Sequence, residues 1–144
     1  MNPYTRSAAP RQGRAQVYAS IGLETQVLGA TPERLISLLF DGAQAAIAKA
    51  RLCLQQGNVE GRGMAISKAL DIVDSGLKAS VDSAAGGQLA NNLIAAYDVI
   101  LHRLLRANLH ADAQSLAEAE RLLREIGDAW RSAADPKKPE ITVF

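Results

Sequence analysis

From Thr31 to Ala133 apolar residues recur every three or four positions, the period of helices packed on one side. The first helix starts at Thr31-Pro32-Glu33: a capping hydroxyl, a proline suited to the first turn, and an acid at the positive dipole end. It runs to about Gln56, where Gly57 can end it, and its face is Leu35, Ile36, Leu39, Phe40, Ala43, Ile47, Ala50 and Leu54. Leu38, Ala45 and Leu52 recur at heptad spacing on the opposite side, and a second apolar row facing away from a core is a candidate docking groove. Asn58 caps a second helix to about Val81, with Ile66, Leu70, Val73, Leu77 and Val81 on its core face. Ile72 and Gly76 lie beside that face, placed to meet either a neighbouring helix or a ligand chain.

After a turn at 83–87, a third helix runs from Gly87 to about Ala111. At 100° per residue, Leu89, Leu93, Ile100 and Leu104 fall on one side of Tyr97, and Ile94, Leu101 and Leu105 on the other. This apolar arc is wider than the stripe of roughly 100° that one core needs. The helix therefore either sits centrally or keeps apolar surface for a partner. Tyr97, mid-arc, reads as a core tyrosine whose hydroxyl reaches the bundle edge, or as a direct contact to a bound chain. Asn108 stands where a leucine would fit, and a buried amide there needs a hydrogen-bonding partner such as a loop backbone. A fourth helix, capped by Asp112, carries Leu116, Ala119, Leu123, Ile126, Trp130 and Ala133 inward, with Gly127 allowing a neighbour to approach closely. Asp135-Pro136 ends it.

Four long helices with short connections predict an all-α, antiparallel four-helix bundle with a short N-terminal helix or arm. Residues 1–13 read as a flexible arm, 14–134 as the bundle domain, and 135–144 as a flexible tail. Within the bundle domain, Arg14–Leu28 is a possible short helix weakened by Gly22 and Gly29.

Composition narrows the function. Only 4% of the 144 residues are aromatic while 48% are hydrophobic, so Ala and Leu fill the interior. A net charge of +1 on a mixed surface gives no electrostatic case for nucleic acid or an anionic membrane. Arg6, Arg11 and Arg14 make the arm locally basic, which chiefly solvates it. The single Cys53 excludes an internal disulfide and suits a small buried hydrophobe in a reducing cytosol. The N-terminus lacks the apolar stretch of a signal peptide, and no run is long enough to span a membrane.

Little in the chain points to catalysis. Asp98 and His102 share a helix face four residues apart, positioned to pair or to supply half a metal site. The Glu-x-x-His pairs of a helical di-iron centre are missing, so no metal or cofactor is expected. No phosphate loop, nucleophile elbow or carboxylate dyad is present, and an enzyme is not expected. A histidine phosphotransfer bundle remains an alternative, with His102 beside Arg103 and Arg106, although no glycine or small residue lies one turn from the histidine. A homodimer closed by the second apolar row is another.

An ordered set of fragments resembles the flagellar secretion chaperone family FliS, the flagellin-specific export chaperones. They are Ala30-Thr31-Pro32-Glu33-Arg34-Leu35-Ile36, Leu38-Leu39-Phe40-Asp41-Gly42-Ala43, Lys68-Ala69-Leu70-Asp71-Ile72-Val73 and Gly86-Gly87-Gln88-Leu89-Ala90-Asn91-Asn92-Leu93. Ala96-Tyr97-Asp98, Arg103-Leu104-Leu105-Arg106-Ala107-Asn108 and Asp128-Ala129-Trp130 follow. Phe40 stands where that family commonly has Tyr, and Ala96-Tyr97 where it has Leu-Tyr. The resemblance implies a cytoplasmic helical bundle that binds the disordered C-terminal segment of flagellin, prevents premature polymerisation and hands the client to the flagellar type III export gate. A regulator competing for the groove is a further candidate partner. It also implies an N-terminal lid over the client groove, for which Tyr4, Tyr18 and Ile21 are the candidates. The candidate client contacts are Leu38, Ala45, Leu52, Ile72, Gly76, Ile94, Tyr97 and Leu101.

Overall fold

A computed structural model describes residues 30–134. The arm, the Arg14–Leu28 segment, the lid candidates Tyr4, Tyr18 and Ile21, and the tail lie outside the described residues. Helix α1 is Pro32–Gln55, α2 is Val59–Asp71, α3 is Ser83–His110 and α4 is Ala113–Ala134. Among the described residues there is no strand. Each helix packs antiparallel on the next, and α4 closes back onto α1, so α1 and α3 stand diagonally across the bundle.

The ends follow local chemistry. Thr31 Oγ1 accepts the Arg34 amide at 3.1 Å, as its position before Pro32 predicts. Gly57, at φ +71°, turns the chain out of α1, and the Asn58 amide reaches back to the Cys53 carbonyl. Asn58 then caps α2 by accepting the Gly61 amide at 2.9 Å. At the same end of the bundle Ala111 takes φ +51° without being glycine, and the Asp112 amide returns to the Ala107 carbonyl. Asp112 accepts the amides of Gln114 and Ser115 and the Ser115 hydroxyl. These bonds, the Ser115 hydroxyl foremost, hold its carboxyl below the usual carboxylate range.

Two features depart from the sequence expectation. The second helix does not run as a single α-helix to Val81. It widens into a π segment, Ile72–Leu77, and tightens into a 3-10 turn, Lys78–Ser80. The wider turn brings Ile72, Val73, Gly76 and Leu77 all into the interior. In α3 the helical assignment begins at Ser83, upstream of the expected start, but Gly87 at φ 59°, ψ −133° breaks the helical path.

The core is continuous. Leu39, Phe40 and Ile47 of α1 meet Ile66 and Ile72 of the second helix, Ile100 and Leu104 of α3, and Leu116 and Leu123 of α4. Burying each such side chain stabilises the fold by about 1.5–3 kcal/mol. Phe40 also meets half-buried Trp130, ring centroids 6.3 Å apart and tilted by 38°. Gly127 lets α4 close on Phe40: a Cβ there would stand 3.1 Å from Phe40 Cδ1. Gly76 does the same for Leu39, at 3.0 Å from Cδ2. At the periphery, Arg131 joins Asp41 at 2.6 Å and Arg51 joins Glu120 at 2.6 Å, tying α4 to α1 at two levels. Such exposed pairs add little stability and mainly set register.

Gly127→Val is expected to cost about 2 kcal/mol, since the added methyls overpack the Phe40 contact; urea denaturation measures it, and an unchanged midpoint would mean the approach is not tight. Leu104→Ala is expected to cost about 3 kcal/mol and Leu109→Ala less than about 0.5 kcal/mol, because only the first leucine is buried. Equal losses in thermal melts would contradict the assigned burial.

Candidate functional site

The apolar surplus of α3 has a definite location. Tyr97, Ile100, Leu104 and Ala107 point into the core. Ile94 and Leu101 are half-buried beside them, and Leu105 and Leu109 are 50% and 78% exposed. Residues 94, 101, 105 and 109 fall within one narrow sector of the helix, so they form a ridge along its outer side. The ridge flanks α2: Leu101 and Leu105 share a shallow concavity of about 440 Å³ with Ser67, Leu70, Asp71 and Asp74. Arg62 of α2 donates to the Asn108 carbonyl at 3.2 Å and pins the two helices together near Leu109. For Asn108 it is this main-chain carbonyl that takes part in the helix–helix contact.

A second groove of about 420 Å³ lies on the other side of α2, against α1. Gly42, Ala46, Gly61 and Ala65 contribute small residues, and Ala45, Lys49, Met64 and Lys68 complete its lining. Met64 is 69% exposed. Leu52, further along α1, is 52% exposed.

A third concavity, about 250 Å³, opens between the start of α3 and the end of α4. Val81, Leu89, Leu93, Tyr97, Ile126 and Trp130 line it. Tyr97 is only 3% exposed, and burial pushes the ionisation of its hydroxyl far above the usual phenol range. It stays neutral at any physiological pH.

The structure separates the sequence candidates. Ala45 and Leu52 are exposed, and Ile94 and Leu101 lie at the edge of the α2–α3 concavity. Leu38 is 6% exposed, not facing outward. Ala45 and Leu52, on the same heptad-spaced row, are exposed where Leu38 is covered. Ile72 and Gly76 are also interior: of the two contacts open to them, the neighbouring helix takes both, with Gly76 against Leu39. Tyr97 is a core residue that also lines the third concavity. Leu89 and Leu105, members of the apolar arc, are exposed. Leu109, absent from the sequence candidates, is the most exposed large apolar residue of α3; its spacing from Leu101 and Leu105 was the available signal.

The polar candidates resolve differently. Asp98 pairs with Lys78 at 2.7 Å rather than with His102, and that bond raises the lysine's pKa. His102 is exposed, while Arg103 engages Glu118 and Arg106 engages Asp112. Cys53 is buried, its Sγ close to where a Cβ on Gly61 would lie. Among the described residues no His, Cys, Asp and Glu side chains cluster to hold a metal ion, and no helix is long and apolar enough to cross a membrane.

The chain was also compared with known proteins. A family model described as "Flagellar protein FliS" matches residues 14–137. The flagellar secretion chaperone FliS of Salmonella typhimurium is 48% identical over 116 residues, covering 81% of this chain and 86% of the relative. That of Escherichia coli is 42% identical over 118 residues, covering 82% and 87%. The flagellar secretion chaperone FliSB of Pseudomonas aeruginosa is 37% identical over 113 residues, covering 78% and 89%. The match spans all four helices and the apolar ridge on α3, and the chain belongs to the FliS family of flagellar secretion chaperones.

Proposed function

We propose that this chain is a cytoplasmic, non-enzymatic chaperone for flagellin, binding the client's disordered C-terminal segment and delivering it to the flagellar export gate. The observation that carries this reading is the apolar ridge of half-buried Leu101 and exposed Leu105 and Leu109 beside Leu70, outside a continuous core. A disordered client loses ordering entropy when it binds, so it needs a long apolar track rather than a single pocket. The α3 ridge and the α1–α2 groove, on either side of α2, together offer such a track for an amphipathic chain. Covering the client's apolar face on this track keeps it from polymerising. In this reading Ala45, Leu52, Ile94 and Leu101 touch the client, joined by Leu105 and Leu109. Tyr4, Tyr18 and Ile21 supply the cover that the client displaces, and a competing regulator would occupy the same track. His102 has no part in it.

Calorimetric titration of the full chain with the C-terminal segment of its organism's flagellin tests the proposal. Wild type is expected to bind near one to one with a negative heat-capacity change, the mark of apolar burial. The double variant Leu105→Asp/Leu109→Asp should keep its helical circular dichroism and bind at least about tenfold more weakly, given about 1.5–3 kcal/mol per buried leucine. Unchanged affinity would take the ridge out of the site. If wild type fails to bind and instead dimerises through the ridge, the surplus is a homodimer interface.

A further inference from the structure

We propose that the α1–α2 groove is a charge-selective subsite that takes an acidic amphipathic segment of the client; this rests on the chaperone reading. The register of the two helices places the groove's charges. Gly42 faces Ile72 and Gly61 faces Cys53, so each residue of α1 meets the residue of the antiparallel second helix that makes the two numbers sum to 114. Lys49 is therefore level with Ala65, and Lys68 lies three residues further along the opposite wall. That is a separation of about 4.5 Å along the axis at 1.5 Å per residue. Two ammonium groups thus straddle one stretch of groove lined by Ala45, Ala46, Ala65 and exposed Met64.

The charge in this stretch is uncompensated. Arg51, Lys78, Arg103, Arg106, Arg121, Arg124 and Arg131 each pair with a carboxylate. Among the described residues Lys49 and Lys68, like Arg34 and Arg62, make no ion pair, and no carboxylate lines the groove between the two lysines. Across α2, Asp71 and Asp74 line the concavity that holds Leu101 and Leu105, Asp71 with a partner of its own and Asp74 near the Lys78 ammonium. A segment with Asp or Glu flanking its apolar face is attracted to the lysine-walled groove. The small residues of the groove let a helical backbone approach, and Met64 supplies an adaptable apolar contact.

The test uses the full chain, the same flagellin segment, and the variants Lys49→Glu/Lys68→Glu and Lys49→Gln/Lys68→Gln. At about 50 mM salt the glutamate variant should bind roughly tenfold more weakly and the glutamine variant about threefold more weakly. Both differences should shrink near 1 M salt, where screening acts over about 3 Å. A flagellin segment whose Asp and Glu are changed to Lys should bind the glutamate variant better than wild type. Wild-type affinity in both variants, with Leu105→Asp still disrupting binding, overturns the lysine subsite and leaves the chaperone reading standing. No binding by wild type overturns both.

Discussion

Two glycines decide how closely this bundle closes. Leu39 and Phe40 are neighbours on α1, and each is met by a helix that carries no side chain at the contact. Gly76 faces Leu39 from the π segment, and Gly127 faces Phe40 from α4, each where even one added carbon would stand near 3 Å from its neighbour. Interiors at native packing density cannot absorb that carbon without shifting a helix. The rest of the architecture depends on these approaches, because they bring the second helix and α4 onto α1 and leave α3 to close the bundle from the diagonal position.

That closure determines where the apolar surplus emerges. With the interior filled by α1, the second helix and α4, α3 can bury one stripe: Tyr97, Ile100, Leu104 and Ala107, at intervals of three and four. Of its remaining leucines, Leu93 and Leu101 pack on the edge of the core and the others lie outside it. Leu101 sits at the rim, and Leu105 and Leu109 face water along α2. Exposed leucines contribute nothing to the stability of the isolated bundle. Their alignment beside a concavity, on a member of a secretion chaperone family, gives them a binding role in our account. Function here lies in the surface that a tightly packed core leaves over.

The helices were legible in the sequence because their start signals act locally. Thr31-Pro32, Asn58 and Asp112 cap where their chemistry says, and Gly57 turns where a positive φ is needed. The surplus on α3 was legible as a quantity, since the arc is wider than one core face. Its division between inside and outside was not, because that depends on which side of the arc the neighbouring helices cover. Ile72 and Gly76 show a second limit. A 100° step places them beside the core face, whereas the π segment turns them inward, and no residue in Ile72–Leu77 announces that change of period. Leu38 marks a third: it shares a heptad-spaced row with exposed Ala45 and Leu52, and which part of a row is covered depends on the packing around it. The placing of Lys49 and Lys68 on facing walls of one groove became visible only once the helix register was known.

The most direct test of the central claim is methyl NMR of the full chain, with assigned leucine and isoleucine resonances, during titration with the flagellin C-terminal segment. The account predicts that the methyls of Leu101, Leu105 and Leu109 shift, while those of Leu39, Ile66, Leu116 and Leu123 stay in place. Shifts confined to the core residues, with the ridge unmoved, would contradict it.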